Sequence, residues 1–351
     1  MKNDLPLSPW RLAFLFAGCF LGAGYVSGRE LWQFFGRFGT WGWLGLGLAM
    51  LCLALLGALT LILVRRANTQ VLEELVIPWP RPALRRAVAV FSIVFLLGID
   101  CVMTAGVGAI FAQLFSIPPL WSSLFFSLMV ALFTLTGLRG LLNAFSATVP
   151  FLSAAAVVLS ILALLLLPGR TAPAPAHGPA WAFSALAFAS YNMFGSVAIL
   201  APFGSGLPEK TVRRGVALGA GLLLIIAGLF LFVMHRHPEA AALELPMLEI
   251  VRALSPALSL LFALLLLLAM FGTAFSSFLT GFNQLAGLFD FFLRHRVSCI
   301  FALSALLWCG SLWGFGSLID VVYPAFGAIS VVFLLSMAVH FFMLRRRGKR
   351  R

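Results

Sequence analysis

Residues 21–30 read LGAGYVSGRE and residues 189–196 read ASYNMFGS, two small and polar runs inside long apolar segments. They lie about 170 residues apart in a chain of 351, close to half its length. Glycine lets a backbone leave helical geometry at little steric cost, and each departure strands N–H and C=O groups that lipid cannot satisfy. Such groups must face protein, water or a ligand. Half-helix N-termini then attract an anionic group, and exposed carbonyls attract a cation. Interrupted helices at matching places in two halves of a membrane protein point to a solute site near the midplane. The alternative reading of Gly22, Gly24 and Gly28 is close helix packing through small residues.

The surrounding segments set the class. Of all residues 62% are hydrophobic and 10% charged, where a soluble domain carries about a quarter charged. The apolar residues arrive in blocks such as 43–64 and 219–234, and about 20 such residues cross a ~30 Å hydrocarbon layer as a helix. The pattern predicts an all-α membrane protein with ten transmembrane helices, at 10–36, 42–64, 87–115, 119–138, 141–167, 181–203, 215–235, 256–288, 297–316 and 318–343. The first stretch is too long, and too charged at Arg29 and Glu30, for a cleaved signal peptide. With ten helices, 19 of the 24 Lys and Arg fall on one side, leaving Arg29, Arg37, Arg170, Arg236 and Arg252 on the other. That bias places both termini in the cytoplasm, as expected of a bacterial inner-membrane protein. The net charge of +13 therefore reads as orientation and lipid contact rather than nucleic-acid binding. The five cysteines form no CxxC, which argues against a zinc site or disulfide framework. No HExxH, Walker loop, GxSxG or paired-carboxylate set occurs, so an enzyme is not indicated.

The Pro/Ala-rich segment 168–180 divides the chain into five helices before it (10–167) and five after it (181–343), followed by a basic tail, 344–351. An odd number of helices per half makes the second half enter the membrane from the opposite side. The expectation is one transmembrane domain, a 5+5 inverted repeat with broken helices one and six. Two amphipathic elements are expected outside the bilayer: a short helix within 67–78 on the cytoplasmic side, and one within 239–253 on the other.

Membrane-embedded acids come next. Asp100 lies midway through helix three, where a charge costs about 2.5–3.5 kcal/mol. It should face the interior, be protonated, hold a cation or pair with Arg29 or a backbone donor. Thr104 shares its face one turn on. Arg29 and Glu30 read as an interfacial ion pair or external gate, Asp320 as a solvated helix-end acid, and Asp290 as the surface partner of Arg294. In helix eight, GTAFSSF (272–278) puts Thr273, Ser276 and Ser277 on one face. Those hydroxyls suit a hard cation such as Na⁺, or simply bond to their own helix.

The stretch GAGYVSGRELWQFFGRFG (22–39), with FASYNMFG (188–195) and the helix-eight serines, resembles the YkvI-type family of bacterial membrane proteins. That family is placed in the amino acid–polyamine–cation superfamily, with the LeuT-type fold of two inverted five-helix repeats. The resemblance implies a substrate site at the break, formed by Gly22, Ala23, Gly24 and Tyr25 with Tyr191, Asn192, Phe194 and Gly195, and with Asp100 or Thr104 across from them. It also implies a Na⁺ site made by the carbonyls of Gly18 and Leu21 with Thr273, Ser276 and Ser277, with no further cofactor. Asp100 departs from what a carrier of zwitterions needs and suits a cationic amine or proton coupling. The function implied is secondary active transport of a small solute, an amino acid or related amine, driven by a Na⁺ or H⁺ gradient. The alternative is a non-transporting membrane sensor on the same fold.

Overall fold

Pro9, Pro82, Pro119 and Pro256 each open a long apolar helix, at the one turn where a missing N–H costs nothing. The computed structural model describes residues 8–136, 148–170, 180–204 and 206–348, and among them there is no strand. In chain order the helices are α1 (Pro9–Phe20), α2 (Ala23–Val26), α3 (Arg29–Phe34), α4 (Thr40–Ala67), α5 (Leu72–Val76), α6 (Pro82–Phe115), α7 (Pro119–Thr136), α8 (Thr148–Leu166), α9 (Ala180–Gly204), α10 (Glu209–Arg236), α11 (Pro238–Ala241), α12 (Pro246–Leu254), α13 (Pro256–Leu288), α14 (Asp290–Arg294), α15 (Arg296–Ser311) and α16 (Phe315–Gly348). A 3₁₀ turn at Gly36–Phe38 joins α3 to α4.

Seven of these helices are long and apolar enough to cross a membrane: α4, α6, α7, α9, α10, α13 and α16. Three more apolar helices are shorter, in α1, α8 and α15. The first is cut short by the break at Leu21 and Gly22, where helical geometry lapses. Part of the predicted fifth helix, 141–147, lies outside the described residues, as do most of the connector (171–179), Arg139 and the last residues of the tail. At 16 residues α15 is about 24 Å long. The chain is a multi-pass membrane protein. Large apolar side chains such as Leu55, Phe125 and Leu165 stay 63%, 67% and 75% exposed, the surface that lipid covers.

The interior forms two packed groups. In one, α1 packs on α10, and α4 on both α9 and α10. In the other, α6 packs on α13, α7 and α15, and α7 on α15. Of the flanking helices, α8 packs on α10 and α13, and α16 chiefly on α9 and then on α6 and α4. Close approach depends on absent side chains. A Cβ at Gly219 would lie 2.8 Å from the Ala13 carbonyl oxygen, bringing α10 against α1. One at Gly327 would lie 2.6 Å from the Ala187 carbonyl oxygen, bringing α16 against α9.

The amphipathic elements form where hydrophobic spacing predicts them. At one end of the bundle α5 buries Leu72, Leu75 and Val76 and is tied to α16, where Ser336 donates to the Val76 carbonyl at 2.6 Å. Between α10 and α13, α11 packs on α10, and α12 on α13, α8 and α10. One expectation is corrected: the sixth helix is not interrupted. The helix α9 runs unbroken through Ser190–Ser196. Ser196 donates to the Asn192 carbonyl and Asn192 to the Phe188 carbonyl, each one turn back. The polar run is absorbed by its own helix, as short polar side chains often are.

Candidate functional site

The break in the first helix is built residue by residue. The Leu21 amide still reaches the Ala17 carbonyl at 3.1 Å, but the Gly22 amide turns to Phe20 at 2.7 Å, so the Gly18 carbonyl loses its helical partner. A Cβ built at Gly22 would meet no atom within 4 Å, so the break faces open space. One turn of helix follows, and the chain bends again at Gly28, whose φ of 82° is left-handed. Ser27 stitches this second bend by donating to the Gly24 carbonyl at 2.9 Å.

Glu30 is the centre of the site. It is 5% exposed, and its carboxylate points back along the bend to Gly24, where a Cβ would lie 2.7 Å from Oε2. The Tyr191 hydroxyl donates to Glu30 Oε1, and Asn192 Nδ2 donates to the same oxygen at 3.2 Å. The Tyr323 ring from α16 stands 4.9 Å from the Tyr191 ring, closing the third side. A carboxylate buried with only two neutral donors either holds a proton or pairs with a cation. When ionised, Glu30 is satisfied by a cationic group, such as an amine, in the space beside it.

Glu30 is thus not the ion-pair partner of Arg29. Adjacent residues on a helix project about 100° apart, so Arg29 and Glu30 face different surroundings. Arg29 Nη2 binds Asp320 Oδ2 at 2.5 Å, and Gln33 Nε2 donates to the Asp320 carbonyl at 3.3 Å. Pro324 lacks the N–H that would otherwise reach that carbonyl. On the same side the Met247 amide of α12 donates to the Ser27 carbonyl at 2.9 Å. Asp320, expected to be solvated, is the partner of Arg29, with its side chain 36% exposed. Asp290 makes no ion pair with Arg294 among the described residues.

The other predicted site residues divide. Gly24, Tyr191 and Asn192 meet at Glu30. Tyr25 turns away, and its hydroxyl donates to the Leu223 carbonyl of α10 at 2.6 Å. Phe194 belongs to an aromatic cluster, 5.0 Å from Phe91 and 5.3 Å from Phe95 between ring centres. A Cβ at Gly195 would meet the Phe95 ring at 3.0 Å, so that glycine admits an aromatic ring rather than a ligand. Ala23 is described by its backbone alone. Asp100 and Thr104 sit on α6, buried. Ser276 donates to the Thr273 carbonyl at 3.0 Å, and α13 packs on α2, just past Leu21 and Gly22. Tyr323 was missed by sequence reasoning; its signal is a lone tyrosine before Pro324 in an otherwise apolar helix.

The helix packing and the broken first helix define the class: a multi-pass, all-α membrane protein with a LeuT-like fold. Among solved structures the chain is similar to the inward-facing conformation of Mhp1, with a TM-score of 0.67 at 16% identity over 99% of this chain and 80% of that one. It is also similar to MhsT in complex with L-phenylalanine, with a TM-score of 0.60 at 15% identity over 96% and 89%. In sequence it is similar to the membrane protein YkvI of Bacillus subtilis (strain 168), 27% identical over 329 residues, 92% of this chain and 93% of the relative. No protein-family profile matches the chain.

Proposed function

We propose that this protein is a secondary active transporter of a small amine-bearing solute, an amino acid or related amine, driven by a Na⁺ or H⁺ gradient. The observation that carries the reading is the buried Glu30 carboxylate, held by Tyr191 and Asn192 beside the open break at Gly22. The amine of the solute binds Glu30, and the Tyr191 and Tyr323 rings pack on its carbon frame. A cation over aromatic faces gains further attraction. The likeness to MhsT supports an amino-acid-sized solute, and the basic bias supports cytoplasmic termini with α12 on the outer face. Ten crossings in two inverted halves is the arrangement that the seven long helices and the three shorter apolar ones favour.

In this reading the Arg29–Asp320 pair, the Gln33 bond and the α12 latch form the outer gate, closed here. The test is counterflow into proteoliposomes loaded with unlabelled amines and amino acids. Saturable uptake of one labelled amine class, lost in Glu30→Gln, is the expected result. Uptake of amine-free solutes alone would refute the amine assignment, and no uptake of any solute would refute transport.

A further inference from the structure

Arg214 is the last charge on α10 before the uncharged run 215–234. The helix α1 lies close beside that run because α10 meets it with two glycines. A Cβ at Gly215 would lie 2.8 Å from Leu12 Cβ, and one at Gly219 would lie 2.9 Å from Phe16 Cδ1. The order of these contacts makes the two helices parallel, so the start of α1 stands level with the first turns of α10.

Along this seam lies a hollow of about 750 Å³, walled by Pro9 and Trp10 of α1 and by Arg214, Ala217, Gly221 and Ile225 of α10. The α10 residues follow i, i+3, i+7, i+11 spacing and share one face of the helix. A Cβ at Gly221 would meet nothing within 4 Å, so the hollow is open to its floor there. From Arg214 to Ile225 the helix rises about 16 Å, close to half of a ~30 Å hydrocarbon layer. The groove thus matches an acyl chain of one leaflet in both length and polarity.

Its rim carries charge that no protein group cancels. Arg11 and Arg214 are exposed, and among the described residues neither has an acidic partner. Glu209, the acid on the same turns of α10, is already held by Arg66 at 3.0 Å and by Arg213 at 3.8 Å. A guanidinium fork fits the oxygens of a phosphate group. Trp10, 62% exposed, is the kind of side chain that settles at headgroup level.

We propose that the groove between α1 and α10 is a binding site for one anionic phospholipid, with its phosphate on Arg214 and an acyl chain along Ala217, Gly221 and Ile225. Basic pockets between transmembrane helices take anionic headgroups in this way. A zwitterionic lipid with the same chains fills the same groove, but its amine offsets the attraction at the rim. The bound lipid touches both helices, so it stabilises the folded protein. The site lies apart from the Glu30 cluster on α3, α9 and α16.

The test is native mass spectrometry and thermal unfolding of the delipidated protein in detergent. It is titrated with dioleoyl phosphatidylglycerol, with dioleoyl phosphatidylcholine and with glycerol 3-phosphate. The expected result is one retained phosphatidylglycerol and a saturating rise in midpoint, half complete at a concentration about fivefold or more below that for phosphatidylcholine. Glycerol 3-phosphate, which has no chains, gives no rise. Arg214→Gln raises the half-saturating phosphatidylglycerol concentration about fivefold, the effect of one basic residue at a membrane surface. Gly221→Trp fills the hollow and abolishes lipid retention. Arg345→Gln, which removes an exposed arginine from α16, changes neither titration. Equal half-saturation by the two lipids overturns the proposal, and so does retention unchanged in Gly221→Trp or a rise with glycerol 3-phosphate alone. A second copy of the chain retained in place of lipid assigns the groove to a dimer and overturns it as well. Should Gly221→Trp fail to fold, an unchanged titration in Arg214→Gln overturns it equally.

Discussion

Gln33 Nε2 reaches the main-chain carbonyl of Asp320 at 3.3 Å, an acceptor left open because Pro324 has no N–H to give it. The Asp320 carboxylate meanwhile takes Arg29 at 2.5 Å. One residue of α16 therefore holds α3 by both its main chain and its side chain, and the second bend of the first helix is fixed between them.

Breaking either hold should loosen the α12 side of the protein. Arg29→Gln and Asp320→Asn are each expected to speed thiol labelling of a cysteine placed at Ser27 by an impermeant reagent. With side chains 15% and 36% exposed, the ion pair itself should contribute modestly. A double-mutant cycle on unfolding should return a coupling of about 0.5–1 kcal/mol, smaller in high salt. Labelling rates equal to those of the unaltered pair would remove Arg29 and Asp320 from the gate.

Glu30→Gln should separate folding from binding. The amide oxygen can still accept from Tyr191, and a buried charge is removed, so the unfolding midpoint should hold or rise. Affinity for the amine solute should fall about 100-fold or more, the range for removing one charge from a buried pair. Tyr191→Phe should weaken binding less, since Asn192 still donates to the same carboxylate oxygen. Retained affinity in Glu30→Gln, measured by calorimetry, would exclude the carboxylate from recognition.

The glycines of the first helix should behave differently from one another. Gly28 has a φ of 82°, and a Cβ there would lie 2.9 Å from Met234 Sδ. Gly28→Ala is expected to destabilise by about 1–2 kcal/mol from the backbone alone, with the crowding added. Gly22→Ala meets no atom within 4 Å and should fold normally while impairing uptake. Equal unfolding midpoints for the two variants would contradict this division.

Ser127 and Ser304 join α7 to α15 by exchanging hydroxyl-to-carbonyl bonds at 3.1 and 3.0 Å. Such bonds inside membranes average about 0.6 kcal/mol and reach about 1.7. A double-mutant cycle on Ser127→Ala and Ser304→Ala should fall in that interval, towards its upper end because the exchange is mutual. A coupling near zero would show that the helices are held by packing alone.

Much of the fold was legible in hydropathy. The helix predicted at 256–288 has those bounds, and most others agree within a few residues. The break near Gly22 was legible because three glycines fall within seven residues of one apolar segment, beside polar Ser27, Arg29 and Glu30. The matching break in the sixth helix was misread: Asn192 and Ser196 satisfy themselves one turn back, and Gly195 makes room for Phe95. Composition alone does not distinguish a polar run that opens a helix from one absorbed by it. Arg29 and Glu30 read as an ion pair near the outer end of the first helix, yet a 100° step sends the two side chains to different partners. Tyr323 and Asp320 entered through tertiary contact across nearly three hundred residues, which no local pattern carries.

The unbroken course of α9 contrasts with the jointed course of the chain from α1 to α3. A strut transmits displacement, whereas a jointed rod absorbs it. Any rocking of α1, α4, α9 and α10 must therefore concentrate its bending between Leu21 and Gly28, with α9 moving as one piece. Backbone amides at 21–28 should exchange with solvent far faster than those at 190–196, because only the second stretch is continuous helix. In the transport reading proposed above, solute leaves by movement of one flexible arm past a rigid post, and the jointed stretch 21–28 sets the pace of that step.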